Sequence, residues 1–306
     1  MGKCKILVVG GTGHLGRRIV KESLAKGHPT YVLQRAEIGL DINKLEMLLS
    51  FKDQGARLVE GSFSDHRSLV DAVKLVDVVI STVSGNLLLQ LKLVQAIKEA
   101  GNVKRFLPSE FGMDPSRMGN ALEPGRVPFD EKMAVRKAIE EAEIPFTYVC
   151  GCCCAGWFAG NLGQMNTLVP PKEKVILYGN GNTKVIFMDE DDVATYAVKT
   201  IEDSRALNKT VYIRPQQNIL SQRELIETWE ELSGRKLEKI SLSDEQWLAP
   251  MKGLECDQQM GVGHIYHVFY EGCLTNFEIG EEAEEASELY SEVVCTPMDS
   301  YLKRFL

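Results

Sequence analysis

A glycine-rich loop near the N-terminus has the residue types that bind a dinucleotide. The chain reads Val8-Val9-Gly10-Gly11-Thr12-Gly13-His14-Leu15-Gly16 after an apolar run. Gly10 permits a tight turn, Gly13 lets backbone N–H groups approach a pyrophosphate at a helix N-terminus, and Gly16 lets the helix pack closely on the strand. The residues that we expect to bind the cofactor here are Gly10, Thr12, Gly13, His14, Leu15 and Gly16.

The end of the second strand indicates which dinucleotide is bound. Units that bind NAD usually place Asp or Glu on the ribose hydroxyl about 20 residues beyond the loop. This chain has Gln34-Arg35 there, and Lys44 follows early in the next helix. A guanidinium pairs bidentately with a phosphate, so we expect Arg35 and Lys44 to bind the 2′-phosphate of NADPH.

A lysine is the strongest candidate for proton chemistry. None of the nine tyrosines is followed four residues later by lysine, which excludes the Tyr-x-x-x-Lys pair of ordinary short-chain dehydrogenases. Lys132 instead lies in a predicted helix that follows Pro108-Ser109-Glu110. A lysine whose pKa is lowered by an apolar pocket can act as a general base at neutral pH. A surface lysine paired with Glu131 or Glu140 is the alternative.

The segment Ser84-Gly85-Asn86 follows the fourth predicted strand. Open α/β proteins bind ligands at the carboxyl ends of their parallel strands. We therefore expect Ser84 and the backbone of this segment near the nicotinamide or the substrate, with an ordinary helix N-cap as the alternative.

These residues must be positioned by alternating strands and helices. Apolar runs predict strands near 5–9, 30–33, 57–60, 76–82, 105–109 and 146–152. Helical periodicity predicts helices near 14–26, 42–52, 68–75, 87–100 and 131–143. Gly27 and Gly101 stand where left-handed residues would end the first and fourth helices. The pattern indicates an α/β fold with a doubly wound parallel sheet.

The second half of the chain has a looser pattern. A β-rich segment precedes a helix near 189–201, and Ser221 with Glu224 has the spacing of a capping box. We expect an NADP(H)-binding domain over residues 1–155, joined by later strands around 175–200, and mainly a substrate-binding domain over residues 156–306. The acidic run around 278–292 is interpreted as a solvated helix face.

Composition and charge limit the partners. The chain has 306 residues, 44% of them hydrophobic, and a formal net charge of −8, which disfavours binding to nucleic acid or an anionic membrane. It has no apolar run of the roughly 18 residues that a membrane span needs. Half of the eight cysteines lie in VCGCCCAG, which has no zinc-site spacing. We interpret them as reduced packing residues of a cytoplasmic protein and expect no metal.

Several motifs together resemble those of one family over essentially the whole chain. They are GGTGHLG, STVSG, LPSEFGMDP, EPGRVPFDEKMAVRKAIE, TYVCGCCCAGWFAGNL, YGNGNTKVIFMDEDDVATY and IYHVFYEG. The chain resembles the isoflavone reductase-like family of plant NADPH-dependent reductases, an atypical short-chain dehydrogenase group. FGMDPSRMGNALEPGR is most similar to the pinoresinol–lariciresinol branch.

The resemblance implies a homodimer, NADPH as cofactor and Lys132 as the catalytic residue, with Lys132 and Phe158 also contacting the cofactor. It implies reduction of pinoresinol to lariciresinol by hydride transfer to a benzylic carbon with opening of an ether ring, and it leaves open a second reduction to secoisolariciresinol. The implied substrate-pocket residues are Ser84, Gly85, Asn86, Met118, Asn161, Met165, His267 and Phe269. The alternatives are a phenylcoumaran benzylic ether or isoflavone reductase, or an NmrA-like regulator that binds NADP(H) without turnover.

Overall fold

The computed structural model describes residues 2–35 and 41–306. The chain forms two compact units of three segments each. The first unit comprises the residues up to Glu110, Glu131–Val149 and Val193–Val211, and the second comprises Phe111–Asp130, Cys150–Asp192 and Tyr212–Leu306. This division differs in part from the expected one. Residues 111–130 belong to the second unit, and residues 193–211 join the first unit, whereas the strands β8 and β9 around residues 175–188 do not.

The first half of the chain alternates strands and helices, as the apolar periodicity predicts. The elements are β1 (Ile6–Val9), α1 (Gly16–Ala25), β2 (Thr30–Gln34), α2 (Ile42–Asp53), β3 (Arg57–Glu60), α3 (His66–Val73), β4 (Val78–Ser81), α4 (Gln90–Ala100), β5 (Arg105–Leu107), α5 (Val127–Glu141) and β6 (Thr147–Cys150). A 3₁₀ turn, Leu87–Leu89, precedes α4 where one continuous helix was expected. Gly101 ends α4 with φ 68°, which confirms the predicted left-handed cap.

The sheet of the first unit is parallel and has the order β3-β2-β1-β4-β5. A parallel bridge between Phe106 and Phe146 brings in the chain just before β6. β1 and β4 are buried along their whole length because helices cover both faces. The strand order reverses between β1 and β4, which confirms the doubly wound sheet and puts a crevice at the carboxyl ends of these two strands.

The second half of the chain has shorter elements. They are β7 (Cys153–Cys154), α6 (Ala155–Phe158), β8 (Lys174–Tyr178), β9 (Lys184–Met188), α7 (Glu190–Thr200), β10 (Lys209–Tyr212), β11 (Ile219–Ser221), α8 (Gln222–Ser233), β12 (Glu238–Leu242), α9 (Asp244–Leu248), α10 (Cys256–Ile265), β13 (Ala283–Glu285), α11 (Ala286–Leu289) and α12 (Met298–Leu302). β12 pairs in parallel with β8, and β9 lies between β11 and β7. Both hydrogen bonds of the predicted Ser221–Glu224 capping box are present.

Two expectations about local structure are wrong. The strand predicted over 146–152 breaks at Gly151, whose φ of 99° separates β6 from β7. The acidic run around 278–292 contains the short strand β13 and the single turn α11 instead of a long helix. Like charges four residues apart, as at Glu281 and Glu285, disfavour a helix there.

The cysteines are all free of disulfides. Burial raises the pKa of Cys152 and Cys153 well above the ordinary thiol value, so both remain protonated. In the described ranges, no three His, Cys, Asp or Glu side chains form a group that could hold a metal ion. None of the helices described has both the length and the apolar character needed to cross a membrane.

The carboxylate of Glu230, in the last turn of α8, stabilises this part of the second unit through its charge. Burial raises its pKa, but the N–H of Leu237 and the ammonium groups of Lys239 and Lys236 outweigh burial and hold the pKa at about 2. The charged carboxylate therefore stabilises the fold above the unfolded-state pKa of about 4.3, and this contribution disappears as the pH falls towards 2. We expect Glu230→Gln to lower the free energy of unfolding by about 1–2 kcal/mol at pH 7, a value reduced for the solvent around Lys236.

Urea unfolding at pH 7 and pH 3 measures this effect. The difference between the natural protein and Glu230→Gln shrinks at pH 3, whereas Glu227→Gln, an exposed position on the same helix, has no effect at either pH. An equal loss at both pH values would contradict the ionic origin of the stabilisation.

Candidate active site

The glycine loop between β1 and α1 is closed by short contacts that only glycine permits. Gly10 has φ 85°, and its carbonyl oxygen accepts a hydrogen bond of 2.9 Å from the N–H of Gly13. The Thr82 hydroxyl, just after β4, donates to the carbonyls of Val9 and Gly10 at 3.0 and 3.1 Å. A Cβ on Gly16 would lie 2.2 Å from the Gly10 oxygen. The loop therefore presses against the start of α1, as expected.

The N-terminus of α1 suits an anion. Its first turn reads Gly-Arg-Arg-Ile and holds no acidic residue. Leu15 occupies the N-cap position, so no side chain of the described chain caps this helix. The N–H groups of Arg17 and Arg18 donate to the carbonyls of Gly13 and Leu15 at 3.1 and 3.0 Å, so the feature that favours an anion here is the positive end of the helix dipole.

A cavity of about 310 Å³ lies beside this loop in the first unit. Its lining includes six of the predicted cofactor residues, namely Gly10, Thr12, Gly13, Arg35, Lys44 and Ser84. His14, Leu15 and Gly16 shape the loop and the helix start. The Lys44 ammonium is 2.9 Å from the Asp41 carboxylate, which already compensates part of its charge. A concave glycine loop beside a guanidinium fits a dinucleotide with a 2′-phosphate.

Lys132 is fixed in the same unit by a backbone contact. It lies in α5, and its Nζ donates a hydrogen bond of 2.7 Å to the carbonyl oxygen of Glu110. Glu110 follows β5 at the carboxyl end of the parallel sheet. The half-buried amine is therefore held at the sheet edge where this fold binds ligands.

A buried ion pair fixes Glu110 itself. The Nε and Nη2 atoms of Arg136 donate to the two carboxylate oxygens of Glu110, each at 3.0 Å. The two side chains are 6% and 1% exposed. The guanidinium also lies over the ring of Tyr148, 4.4 Å from its centroid. Because Lys132 and Arg136 are one helical turn apart, both reach the Glu110 residue from one face of α5.

Two further hydrogen bonds connect the loop after β4 to this region. The Glu131 carboxylate accepts from the N–H of Leu87 at 3.3 Å. Gln90, which is buried, accepts from the N–H of Ser109 at 2.8 Å. The segment Ser84-Gly85-Asn86 is exposed between these anchors, and only Ser84 lines the cofactor cavity.

The second unit contains an apolar cavity of about 730 Å³, here called the larger cavity. It brings together three predicted residues, Phe158, Asn161 and Met165, with Trp157, His264 and Ile265 among the other lining residues. Its volume is in the range of ordinary small-molecule pockets. The predicted cofactor contact Phe158 thus lies on the wall of this cavity, and its contact with the cofactor stays a prediction.

The other predicted pocket residues are placed elsewhere in the second unit. Met118 and His267 line a separate polar cavity of about 390 Å³. Phe269 is buried against Phe158 and Tyr178, with ring centroids 6.3 and 5.0 Å away. These three residues do not line the larger cavity.

Two polar residues use their hydrogen bonds within the protein. The Nε2 atom of His267 accepts from the N–H of Leu122 at 3.0 Å, and its Nδ1 lies 2.6 Å from the Glu271 carboxylate. The Asn161 amide donates to three backbone carbonyls and accepts from the N–H of Gly163. His267 and Asn161 therefore position backbone segments.

Sequence reasoning missed the residues that hold the site together. Glu110, Arg136, Thr82 and Gln90 act through long-range contacts that no local spacing indicates. The four-residue separation of Lys132 and Arg136 is the one signal that could have pointed to a shared partner. Sequence reasoning also missed His264, a lining residue of the larger cavity that immediately precedes the IYHVFYEG motif.

Comparison with known proteins agrees with this geometry. The profile of the NmrA-like family matches residues 2–302. The chain belongs to the NmrA-like family. It is 70% identical over 312 residues to an isoflavone reductase homolog from Lupinus albus, and the alignment covers 100% of both proteins.

Other NmrA-like relatives have more specific names. A bifunctional pinoresinol-lariciresinol reductase from Linum usitatissimum is 62% identical over 312 residues, with 100% of both proteins covered. The solved structure of AtPrR2 with NADP⁺ and (+)-pinoresinol is 60% identical and has a TM-score of 0.97 over 100% of both chains. This likeness covers both units and confirms the fold.

The Glu110–Arg136 pair predicts a large coupling. Arg136→Met leaves a buried carboxylate without its cation, and Glu110→Gln leaves the guanidinium without its anion. We expect each change to lower the free energy of unfolding by about 3–5 kcal/mol, and the double variant to lose less than the sum by more than about 1 kcal/mol.

Urea unfolding of the four proteins measures this coupling. The exposed pair Lys137–Glu141, 3.8 Å apart on the same helix, is the matched control. Its Lys137→Met and Glu141→Gln cycle gives a coupling below about 0.5 kcal/mol. Similar couplings for the two pairs would show that the buried ion pair is not a structural anchor.

Proposed function

We propose that this protein is an NADPH-dependent reductase that converts pinoresinol to lariciresinol, with hydride transfer to a benzylic carbon and opening of an ether ring. The observation that carries the proposal is Lys132, whose amine is held at 2.7 Å on a backbone carbonyl fixed by a buried ion pair. The names of the full-length relatives, including the pinoresinol-lariciresinol reductase from Linum usitatissimum, support the same reaction. Reduction of lariciresinol to secoisolariciresinol is a further step that the bifunctional relatives favour.

The cofactor role belongs to the first unit. Gly10, Thr12 and Gly13 would hold the pyrophosphate, Arg35 the 2′-phosphate, and Ser84 would lie near the nicotinamide. When bound, NADPH supplies the hydride. The likeness to AtPrR2 with NADP⁺ supports NADPH over NADH, since Arg35 stands where NAD-binding units carry an acid.

Lys132 moves the proton. A benzylic ether oxygen is a poor leaving group, but loss of the para-phenol proton pushes electrons through the ring and breaks the benzylic C–O bond. Lys132 accepts the phenol proton and returns it to the departing oxygen, which leaves a quinone methide on the substrate. The benzylic carbon is then the electrophile, and the phenolate that follows reduction takes a proton from solvent.

The substrate role belongs mainly to the second unit. The residues around the larger cavity are uncharged apart from the titratable His264. Such a wall suits a neutral polyphenol better than an acid or a phosphate ester. The substrate residues Gly85, Asn86, Met118, His267 and Phe269 stay predictions by resemblance, and the contacts of His267 favour a positioning role.

We also infer a homodimer and a cytoplasmic location. The dimer rests on the family resemblance. The location rests on eight cysteines without a disulfide, which is typical of a reducing compartment.

An isoflavone reductase is the second candidate, favoured by the 70% identity to the isoflavone reductase homolog from Lupinus albus. A panel of pinoresinol, lariciresinol, a phenylcoumaran and an isoflavone, each with NADPH, separates these activities. A regulator without turnover would leave NADPH absorbance unchanged with every substrate.

Lys132→Met removes the proton carrier while keeping the length of the side chain. We expect kcat for pinoresinol to fall about 100- to 10,000-fold, with NADPH affinity within a few-fold of the natural protein. Stopped-flow absorbance and cofactor fluorescence measure the two quantities. The control is Lys137→Met, an exposed lysine on the same helix, and retained turnover in Lys132→Met would remove this residue from the chemistry.

A substrate methylated on the para-phenol tests the order of events. It has no proton to release, so the quinone-methide route predicts no reduction by the natural protein. Rapid reduction would favour direct displacement, with Lys132 assisting only the departing oxygen.

Arg35→Asp tests the cofactor assignment. The change replaces a guanidinium by a repelling carboxylate, and loss of a charge-assisted contact of about 1.5–3 kcal/mol raises the NADPH Kd roughly 10- to 150-fold. NADH affinity changes little because NADH has no 2′-phosphate. Lys137→Asp makes the same change of net charge away from the cavity, and equal weakening of both cofactors by Arg35→Asp would refute the role of Arg35.

A further inference from the structure

A smaller cavity lies beside the larger one in the second unit and shares a wall with it. Its volume is about 280 Å³. Residues Gln164, Met165 and Asn166 line both cavities. The helix α10 also contributes to both, with Gln258 and Val262 facing the smaller cavity and Gly261, His264 and Ile265 facing the larger one. The mechanism described above does not use the smaller cavity.

The lining of the smaller cavity has the chemistry of an aromatic site. Tyr178 and Trp247 meet edge to face, with ring centroids 4.9 Å apart. Leu242, Leu254 and Val262 add apolar surface, and the polar members of the lining, apart from the Tyr178 hydroxyl and the Trp247 indole N–H, are the amides of Gln164, Asn166, Gln246 and Gln258. The lining contains no charged side chain. An apolar cavity of about 150 Å³ already admits benzene, so this volume accommodates a substituted phenol.

The polar groups of the two rings are already satisfied. The Tyr178 hydroxyl donates to the Gly163 carbonyl at 2.7 Å, and the Trp247 indole N–H donates to the Val262 carbonyl at 3.1 Å. The rings therefore offer faces and edges to a ligand. The Oε1 atoms of Gln246 and Gln258 accept from the N–H groups of Ser243 and Glu255, so the NH2 groups of these two amides, together with the Asn166 amide, face a phenol or methoxy oxygen.

The backbone of the shared wall is fixed. Gln164 accepts from the N–H of Ile176 at 2.8 Å and donates to the Ile176 carbonyl at 3.0 Å, so its side chain mimics a neighbouring strand. Buried Gln222 donates to the carbonyls of Leu162 and Ile176 at 3.1 and 2.9 Å. These bonds fix the backbone of the shared wall, so the Met165 side chain is the part of this wall that can change its rotamer.

The tip of the Met165 side chain packs against Gly261. A Cβ added to Gly261 would lie 3.0 Å from the terminal methyl of Met165. Gly261 faces the larger cavity, so the tip of Met165 rests on that side of α10. Methionine has three rotatable bonds and changes rotamer at low cost.

We propose that the smaller cavity is a second aromatic subsite that takes a neutral methoxyphenol ring and opens to the larger cavity when the Met165 side chain rotates. This inference rests on the proposed function, because pinoresinol carries one methoxyphenol ring at each end. The ring has two possible sources, the distal end of the lignan or a separate monophenol.

Leu254→Phe tests the subsite because Leu254 lines only the smaller cavity, and Leu168→Phe makes the same change in the lining of the larger cavity alone. Guaiacol, a methoxyphenol, is titrated by calorimetry into the NADP⁺ complex of each protein. We expect guaiacol to bind the natural protein and Leu168→Phe, and Leu254→Phe to weaken it at least 10-fold. Binding unaffected by Leu254→Phe, or no binding to the natural protein, overturns the proposal.

Steady-state kinetics decide whether the bound ring is the distal ring of the lignan or a separate monophenol. The kcat/KM is measured for pinoresinol and for an analogue that has hydrogen in place of the distal ring. The quantity compared is the kcat/KM for pinoresinol divided by the kcat/KM for the analogue. If the subsite holds the distal ring, Leu254→Phe lowers this ratio about 10-fold, and Met165→Ala raises it. If guaiacol binding is lost while both variants leave this ratio unchanged, the subsite takes a separate monophenol.

The proposed function can fail independently. Absence of turnover with both substrates would refute the reductase assignment, while the calorimetric comparison would still decide the subsite. Thermal unfolding of Leu254→Phe within a few degrees of the natural protein shows that lost binding is not lost folding. If Leu254→Phe unfolds, Gly261→Ala is the replacement variant, because its added methyl displaces the tip of the Met165 side chain. We expect it to change the same ratio of kcat/KM values by at least 3-fold. An unchanged ratio together with an unchanged guaiacol affinity then overturns the proposal.

Discussion

The buried ion pair between Glu110 and Arg136 is the constraint on which the chemistry of the first unit depends. Removing two charges from water is costly, and the two hydrogen bonds of 3.0 Å between them and the contact of the guanidinium with the Tyr148 ring help to offset that cost. The pair fixes the chain where it leaves β5. The Lys132 amine is hydrogen-bonded to the backbone carbonyl of Glu110, so its position depends on the Glu110–Arg136 ion pair. That ion pair takes no part in the proton transfer.

The cofactor loop shows the same division between residues that bind and residues that position. The Thr82 hydroxyl donates to the backbone carbonyls of Val9 and Gly10, while the glycines leave the space beside the loop open. A side chain at Gly16 would displace the oxygen that Thr82 holds. The first unit thus positions its ligand-binding groups in two ways. Close backbone packing fixes the glycine loop after β1, and a buried ion pair fixes Glu110 after β5.

Local signals in the sequence predicted the elements well and the contacts between them poorly. The glycine loop, the Ser221–Glu224 capping box and the Gly101 cap are local rules, and the structure confirms each. The partner of Arg136 is 26 residues away, and each of the two cavities joins residues 164–166 to α10, which are distant from one another in the sequence. The acidic run around 278–292 forms no long helix because repulsion between neighbouring carboxylates opposes the helix that its periodicity predicts.

Two polar residues in the walls of the larger and smaller cavities, Asn161 and Gln164, are committed to the backbone, which leaves these walls more apolar. Asn161, Gln164 and Gln222 together satisfy carbonyl and N–H groups of a loop in which Leu162 and Asn166 adopt positive φ values of 58° and 65°. Such conformations are unfavourable for non-glycine residues and persist only where several bonds hold them. A cavity built in this way selects ligands by shape, and shape in an apolar pocket discriminates between close analogues by only about 10- to 200-fold. Selectivity among related lignans therefore depends on the few side chains that can still move, and Met165 is the one at the boundary between the two cavities.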